Sequence, residues 1–459
     1  MWRCHEKYGN YVRYAPNRVL INTNTGLKKI YSYSNTIQKS QVYNVMVHRA
    51  PNTLTLIDKK GHGRKRRIIS QGFSEAAVRG YEPTILNHIR TFCDQLAPDS
   101  KASEDCKDSL KPSKWSTRDL APWTTYLTFD IMTDVIFGEK YKLLETPQNR
   151  EVVQSIDDSN VRTGVLLQAA ELATCRFDRR LFPKAIIGRN AFIKFVNALL
   201  KRRMQAQPLK RKDVFSFLLD AKDPETQQGL ATAEIGAEST TMIVAGSDTS
   251  STALASTFFY LCHNPEAYAK AAAEVRSTFA GHEDVHVGPA LNSCHYLRAC
   301  IDESMRMSPP TGSSLWREVC AGGVTIDGYH IPGGYDVGTG IYAIHHNPEY
   351  YPEPFLYRPE RWLDDPSASG KSEAVSTAQS AFTPFSIGPR GCIGKGLAMT
   401  ELMLAMAYAL SRFEFKGVDK DIGAGSPGAD DGRRRENEYQ LFDHVTAAKK
   451  GPLVQFRER

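Results

Sequence analysis

Hydrophobic residues recur at helical spacing through most of this chain. Apolar positions three and four residues apart mark five segments: Gly61–Ile68, Phe73–Leu96, Asp119–Phe137, Asn190–Arg203 and Thr232–Cys262. The last pattern stops at Asn264-Pro265, a dipeptide at which helices commonly end. The spacing therefore predicts a mainly helical protein.

Two regions depart from the helical pattern. The N-terminal segment alternates between apolar and polar residues after Gly9, as in a strand. In Val319–Val337, Gly-rich turns separate short alternating runs, which is typical of small hairpins. Ser367–Ser380 and Gly423–Arg435 are low in complexity and are expected to be loops. With no internal repeat, the sequence predicts a single large domain over residues 1–459, mainly α with a small β region.

Composition excludes several classes of protein. The 459 residues are 24% charged and 41% hydrophobic, as in ordinary globular chains. The formal net charge is +7, but Lys and Arg alternate with Asp and Glu along most of the chain, so we expect no nucleic-acid binding. The nine cysteines form no CxxC pair and are odd in number, which indicates a reducing compartment rather than a disulfide framework.

The chemistry is concentrated in one segment, Phe385–Gly394, which reads FSIGPRGCIG and precedes helical spacing over Lys395–Leu410. Backbone N–H groups at the turn and at the start of that helix would stabilise a thiolate at Cys392. Gly388 and Gly394 would allow backbone turns that a β-carbon prevents. A lone cysteine is more often a small buried hydrophobic residue, but this set of residues at fixed offsets is a far more specific signal.

The segment resembles the haem-binding loop of the cytochrome P450 family at every defining position: Phe385, Gly388, Arg390, Cys392 and Gly394. The resemblance implies the cytochrome P450 fold and a haem b cofactor (iron protoporphyrin IX) bound by these residues. It makes Cys392 the ligand of the haem iron, and Arg390 a fixed cation for a haem propionate.

The same resemblance predicts a buried ion-pair network. Glu303-Ser-Met-Arg306 matches the family's Glu-x-x-Arg, in which an acid and a base three residues apart share a helix face. Arg361, in Pro359-Glu-Arg-Trp362, matches the third member of that network. Buried charges require such complete pairing.

A second motif lies in the long predicted helix and reads AGSDTS from Ala245 to Ser250. It resembles the family's oxygen-activating motif, where Ala245 and Gly246 face the haem and Gly246 lets the helix bulge to admit dioxygen. Asp248 and Thr249 would then relay protons. The alternative is a tolerated glycine, with the Thr249 hydroxyl bonded to a carbonyl one turn earlier.

Two further positions resemble the family's propionate ligands. His62 stands four residues before Arg66, where members place Trp or His before Arg, and Arg317 follows Leu315-Trp. The basic run Arg64–Arg67 is either a solvated helix face or, with Lys395, a docking surface for an acidic reductase.

The resemblance implies a monooxygenase that takes dioxygen and electrons from NADPH–cytochrome P450 reductase and oxidises a small hydrophobic molecule. Substrate contacts are expected from Tyr43–Lys59, Asp157–Arg189 and the residues around Val445. Phenol coupling or ring formation at the same haem remains an alternative, as does an inactive haem-binding protein. The stretches YAPN and HHNPEYYPEPFLYRPERW are similar to fungal members of secondary metabolism and of the benzoate-hydroxylase-like group.

Family members anchored to the endoplasmic reticulum carry a membrane helix and a proline-rich hinge before the segment that resembles HEKYGNYVRYAPN. No apolar stretch here approaches the roughly 18 residues that cross a bilayer. The resemblance predicts the cytosolic face of the endoplasmic reticulum, with peripheral membrane contact. A genuine lack of the anchor would instead predict the cytosol.

Overall fold

Helices form the body of the protein in the computed structural model, which describes residues 1–97, 115–174, 176–205, 213–364 and 372–459. In chain order the α-helices α1–α17 are Trp2–Tyr8, Asn24–Tyr31, Lys59–Ile69, Glu75–Leu96, Leu120–Phe137, Glu151–Gln168, Glu171–Thr174, Asp178–Leu181, Pro183–Gln205, Val214–Asp220, Thr232–His263, Pro265–Thr278, Pro289–Asn292, His295–Met307, Ile341–His345, Glu373–Ala381 and Lys395–Arg412. Short 3₁₀ helices are Gln41–Met46, Ser70–Phe73, His282–Asp284, Pro359–Trp362 and Gly388–Arg390.

The strands β1–β12 are short and lie in small sheets. They are Tyr11–Ala15, Arg18–Ile21, Ile37–Lys39, Ser116–Asp119, Arg317–Val319, Val324–Ile326, Tyr329–Ile331, Asp336–Gly338, Phe413–Gly417, Leu441–Phe442, Ala448–Lys449 and Leu453–Glu458. One five-stranded sheet has the order β1-β2-β8-β5-β3, with β2 and β8 parallel, and a three-stranded sheet has the order β4-β12-β9. The pairs β6-β7 and β10-β11 are hairpins.

The long helix α11 lies at the centre of the hydrophobic core. Its second half is buried on all sides, from Ser250 to Leu261, and it contacts α5, α14 and α17. A helix apolar all round belongs inside a large protein. Its buried hydroxyls donate back to carbonyls of the preceding turn, as Thr257 does to Ala253 at 2.8 Å, so these polar side chains need no solvent.

The predicted mainly α fold with a small β region is confirmed, and each of the five predicted helical segments lies in an α-helix apart from Phe73, Ser74 and Asp119 at the N-terminal ends of two of them. Two expectations about loops and hairpins are wrong in part. Ser367–Ser380 is not a loop throughout, because Ser372 caps the N–H of Val375 and starts helix α16; residues 367–371 lie outside the described part. Within Val319–Val337 only β6 and β7 pair as a hairpin, while β5 and β8 join the larger sheet.

The cysteines in the described part of the chain are unpaired, in agreement with the sequence; Cys106 and Cys175 lie outside it. Among the helices described, none is long and apolar enough to cross a membrane.

Candidate active site

The Cys392 loop is held by its own backbone. The N–H of Cys392 donates to the carbonyl oxygen of Phe385 at 2.8 Å, and the N–H of Gly391 donates to Gly388 at 2.9 Å. Gly388 has a φ of +71°, and a β-carbon there would collide with the carbonyl oxygen of Tyr31 at the end of α2. The prediction that this position requires glycine is confirmed.

At Gly394 the same prediction is wrong. Its φ is −85° and its ψ is 8°, a conformation open to other residues, and a β-carbon would stand 3.9 Å from the Cys392 sulfur, in ordinary contact. The residue instead precedes helix α17, so its N–H lies beside the sulfur. A side chain here would project toward the space next to the thiol rather than strain the backbone.

The side chain of Cys392 is exposed, because it lines a cavity. Burial raises the pKa of the thiol, and hydrogen bonds from the N–H groups of Gly394 and Lys395 oppose the rise, together with the charges of Arg66 and Lys395. Backbone N–H groups at the turn and helix start therefore face the sulfur, as predicted. Arg66 also donates to the carbonyl of Gly391 at 2.7 Å, which ties α3 to the loop.

The cavity beside the sulfur, which we call the thiolate cavity, measures about 320 Å³. Helix α11 contributes Ala245, Gly246 and Thr249 to its wall, and the haem-loop segment contributes Phe385, Arg390, Cys392 and Gly394. Most of the remaining wall is apolar. A second, larger cavity of about 960 Å³, the outer cavity, shares five lining residues with it: Met46, Leu54, Ala245, Val445 and Thr446. The two therefore adjoin.

Four cations gather next to the thiolate cavity. Lys39, Arg66, Arg317 and Arg390 line one pocket together with His62, and we call the four the cationic cluster. The same pocket is also lined by Lys59, which donates to the carbonyl of Ser34, and by Arg67, which pairs with Asp223. Among the described residues none of the four forms an ion pair, although Lys39 is buried. Burial and these charges lower the pKa of His62 to about 3, so its ring is neutral at physiological pH.

Arg390 is rigidly placed within the cluster. It donates to the carbonyls of Leu56 and Ile57, the latter at 2.8 Å. Burial and the neighbouring Arg317 lower its pKa to about 10, and the charge of Asp58 opposes this shift. Lys39 and Arg317 are buried without a paired acid in the described part of the chain, and because buried cations without counter-ions are costly, the cluster favours binding of an anion from outside the chain.

These features fit haem. An apolar cavity beside an accessible thiolate suits the macrocycle and its iron, and the cationic cluster suits two propionate carboxylates. His62, Arg66, Arg317 and Arg390 would hold those propionates, as the sequence predicts. Lys39 would join them; it was missed because one lysine in a short strand carries no signal of burial.

The distal wall differs from expectation at Gly246. Helix α11 runs unbroken through this residue, so the predicted bulge is absent. A β-carbon at Gly246 would instead collide with the side chain of Met132 on α5. The glycine leaves room for the flexible thioether of Met132 between the two helices.

Thr249 and Asp248 point to different surroundings. The Thr249 hydroxyl donates to the carbonyl of Ala245 at 2.6 Å and lines the thiolate cavity. Asp248 is buried behind it and accepts hydrogen bonds from Asn160 at 3.0 Å and from Thr446 at 2.8 Å. Burial, and secondarily Asp157, raise the pKa of Asp248 to about 6.

Glu401 is a further acid that the sequence did not reveal. It lies on α17, is buried and lines the thiolate cavity. Burial raises its pKa to about 8, opposed by the Ser250 hydroxyl, so the carboxyl is protonated at neutral pH. A single Glu in a helix with apolar spacing gives no indication of this position.

The predicted Glu-Arg-Arg network is confirmed. Arg306 bonds Glu303 with distances of 2.8 and 2.9 Å, and Arg361 reaches Glu303 at 3.2 Å. Trp362 adds an indole hydrogen bond to Glu303 at 3.1 Å, and Arg306 also donates to the carbonyl of His345. The network links α14 to the segment before the haem loop.

The basic run at residues 64–67 is neither a solvated face nor an open docking surface. Lys65 is buried and pairs with Glu234 at 3.1 Å. Arg64 also pairs with Glu234, and Arg67 pairs with Asp223 at 2.6 Å. Acids therefore neutralise Arg64, Lys65 and Arg67, and these three residues are structural, whereas Arg66 belongs to the cationic cluster. Lys395, in contrast, is exposed and forms no ion pair with a described residue.

Comparisons with known proteins agree with this site. The Cytochrome P450 family model matches residues 1–423. The chain is 49% identical to cytochrome P450 monooxygenase AKT7 of Alternaria alternata, over 100% of this chain and 87% of the relative. It is 51% identical to a cytochrome P450 monooxygenase of Gibberella zeae, over 95% and 98%. Cytochrome P450 monooxygenase atnE of Emericella nidulans is 47% identical, over 100% and 86%.

Solved structures show the same fold. The cytochrome P450DA heme domain superposes with a TM-score of 0.76 at 20% identity, over 99% of this chain and 91% of that one. The predicted resemblance to fungal members of secondary metabolism is also confirmed. The chain therefore belongs to the cytochrome P450 family, and it is a monooxygenase, an oxidoreductase that incorporates oxygen.

Proposed function

We propose that this monooxygenase hydroxylates a small apolar molecule in fungal secondary metabolism, with electrons that NADPH–cytochrome P450 reductase delivers from NADPH. The reaction is RH + O₂ + NADPH + H⁺ → ROH + H₂O + NADP⁺. The observation that carries the proposal is that Cys392 and Thr249 line the same cavity, which adjoins a larger one with a mainly apolar wall.

Each part of the site has a task in this reaction. Bound haem b supplies the oxidising chemistry, and the thiolate donates electron density to its iron. The cationic cluster orients the cofactor through its propionates. Apolar walls exclude water, and Thr249 holds a proton donor beside the reacting centre. Asp248, with its pKa near neutrality, is suited to resupply protons from the interior behind it.

We place the source of electrons in a partner reductase, as membership of the family implies. Lys395 is the exposed cation next to the thiolate, and we place it in the docking surface for an acidic reductase. The earlier candidates Lys65 and Arg67 do not serve this role because their charges are neutralised.

We also propose peripheral contact with the cytosolic face of the endoplasmic reticulum. Around α8 and the start of α9 three apolar side chains are exposed, Phe177, Leu181 and Ile187. Arg179 and Arg180 lie among them and are exposed as well. Exposed apolar groups with adjacent cations favour binding to an anionic lipid surface.

The test begins with the ligand. Cys392→Ser should abolish the absorption band at about 450 nm that a thiolate ligand gives the reduced carbon monoxide complex, whereas Cys300→Ser should keep it. Persistence of the band in Cys392→Ser contradicts the site. Oxidation of NADPH with added reductase, and mass spectrometry of products, then separate hydroxylation from phenol coupling or ring closure, and activity from an inactive haem protein.

A further inference from the structure

The outer cavity has an unusual balance of charge. Its wall contains the basic residues His48, Arg49, Arg162, Arg189 and Lys201 and, among the described residues, no Asp or Glu. Most of the wall is apolar, with Phe192 and Leu200 from α9. An apolar cavity in a monooxygenase needs no such set of cations to bind a neutral substrate.

Arg162 does not account for this charge. Its guanidinium binds Asp178 through two nitrogens, at 2.8 and 2.5 Å. Asp178 therefore neutralises the charge of Arg162 within the protein. Any recognition of an anion must come from another cation of the wall.

Arg189 is the cation whose hydrogen bonds are incomplete. Its Nη2 donates to Asn190 at 3.2 Å, but its buried Nε has no hydrogen-bond partner. Burial lowers the pKa of Arg189, and the neighbouring Arg162 and Arg179 lower it further; Asp178, whose carboxylate is bonded to Arg162, opposes the shift only in part. A buried donor without an acceptor is costly, so the free protein leaves this guanidinium short of an anion.

Arg49 extends the positive field along the wall of the cavity. It is exposed and forms no ion pair with a described residue. Burial lowers the pKa of the neighbouring His48, and the charges of Arg189 and Arg49 lower it further, which places the three side chains near one another. An anionic ligand would thus enter past Arg49 and reach Arg189.

We propose that the substrate is an apolar carboxylic acid whose carboxylate is bound by Arg189, with Arg49 beside it. This inference rests on the proposed function and names its substrate class. A carboxylate matches the fork of a guanidinium. One half-buried cation without a counter-ion matches a single negative charge, and the apolar wall matches a hydrocarbon body.

The arrangement also fixes where oxidation occurs. Arg189 lines the outer cavity and not the thiolate cavity, whereas Ala245 lines both. The carboxylate is therefore held away from Cys392, and the apolar part of the acid extends toward it. The oxidised carbon belongs to the hydrocarbon body, and the carboxyl group is retained in the product.

Binding to the holoprotein tests the inference. Straight-chain carboxylic acids and their methyl esters are titrated, with substrate-induced spectral shifts and calorimetry as readouts. In the parent protein the acids should bind more tightly than the esters. Arg189→Gln should weaken acid binding about 10-fold or more, the size expected for a lost charge-assisted hydrogen bond, and leave ester binding unchanged.

Lys194→Gln is the matched control, because Lys194 is an exposed cation of the same helix that does not line the cavity; it should behave as the parent does. Arg189→Lys keeps the charge and should retain part of the preference. Equal binding of acid and ester, an equal loss of both in Arg189→Gln, or no binding of any acid overturns the proposal. If the band at about 450 nm is present and neutral apolar compounds are hydroxylated while acids do not bind, only this inference fails.

Discussion

The side chain of Met132 occupies the space that a β-carbon at Gly246 would need. This contact joins α5 to α11 at the wall of the thiolate cavity, which both residues line. Gly246 is therefore a packing position between two helices, and a larger side chain there would displace the thioether of Met132.

The first prediction follows from that contact. In Gly246→Ala the new methyl group displaces Met132, at a packing cost of about 1–3 kcal/mol. The gain in helix propensity, about 1 kcal/mol, offsets part of it. We expect a modest fall in thermal stability. Met132→Ala alone leaves a cavity and costs about 2–5 kcal/mol.

The double variant Gly246→Ala with Met132→Ala should lose less stability than the sum of the losses in the two single variants. The reason is that Met132→Ala removes the side chain with which the new methyl group collides. Melting temperatures of the four proteins measure this coupling. Additive losses would show that the two side chains do not meet.

A second prediction concerns the charge of Glu303. Glu303→Gln leaves the buried guanidinium of Arg306 without its counter-ion, and breaking a buried pair in this way costs about 3–5 kcal/mol. Denaturant unfolding should show this loss. Lys142→Gln breaks an exposed pair with Glu145 and should cost at most about 1 kcal/mol. Similar losses in both variants would contradict the special role of the network.

The positions of residues that belong to motifs of fixed spacing could be predicted from the sequence. Cys392, Arg390 and the pair Glu303 and Arg306 lie where the motifs indicate, since each motif specifies a local backbone geometry or a contact along one helix. The same holds for the long helices, whose apolar spacing reflects burial directly.

Contacts between distant segments could not be predicted in this way. The run containing Lys65 resembles a surface feature, yet Glu234, far along the chain, pairs with it. Gly246 packs against Met132, which lies on another helix. Nothing in the sequence around Lys39 indicates that its side chain is buried. Nothing around Arg189 indicates that its guanidinium lacks a hydrogen-bond partner. Such facts depend on which elements the tertiary fold brings together.

A third prediction uses the pKa of Asp248. Burial raises this pKa to about 6, above the usual value near 3.9 for Asp. The folded state thus binds the proton more tightly than the unfolded state. As pH rises from the usual pKa of Asp, near 3.9, to the raised pKa of about 6, ionisation of Asp248 destabilises the fold. The cost reaches on the order of 3 kcal/mol above pH 6.

Asp248→Asn removes that charge. The melting temperature of the variant relative to the parent should therefore increase as pH is raised from about 4 to about 7. NADPH-dependent turnover should fall by about 10²–10⁴-fold, the usual range for a lost acid–base group. A stability difference that does not vary with pH would refute the raised pKa, and unchanged turnover would remove Asp248 from proton supply.

The last prediction separates two roles of Thr249. Its hydroxyl donates to the carbonyl of Ala245, which satisfies the helix, and the same oxygen faces the thiolate cavity, where its lone pairs can accept a hydrogen bond and steady a proton. A purely structural role predicts that Thr249→Ala changes stability slightly and leaves coupling intact. A proton-holding role predicts normal haem content and normal NADPH oxidation, but more hydrogen peroxide and less hydroxylated product.

Thr257→Ala is the matched control, because Thr257 makes the same bond to Ala253 on the same helix but does not line the cavity. Product formed and peroxide released per NADPH oxidised measure the difference. If Thr249→Ala is as tightly coupled as Thr257→Ala, the hydroxyl serves only the helix.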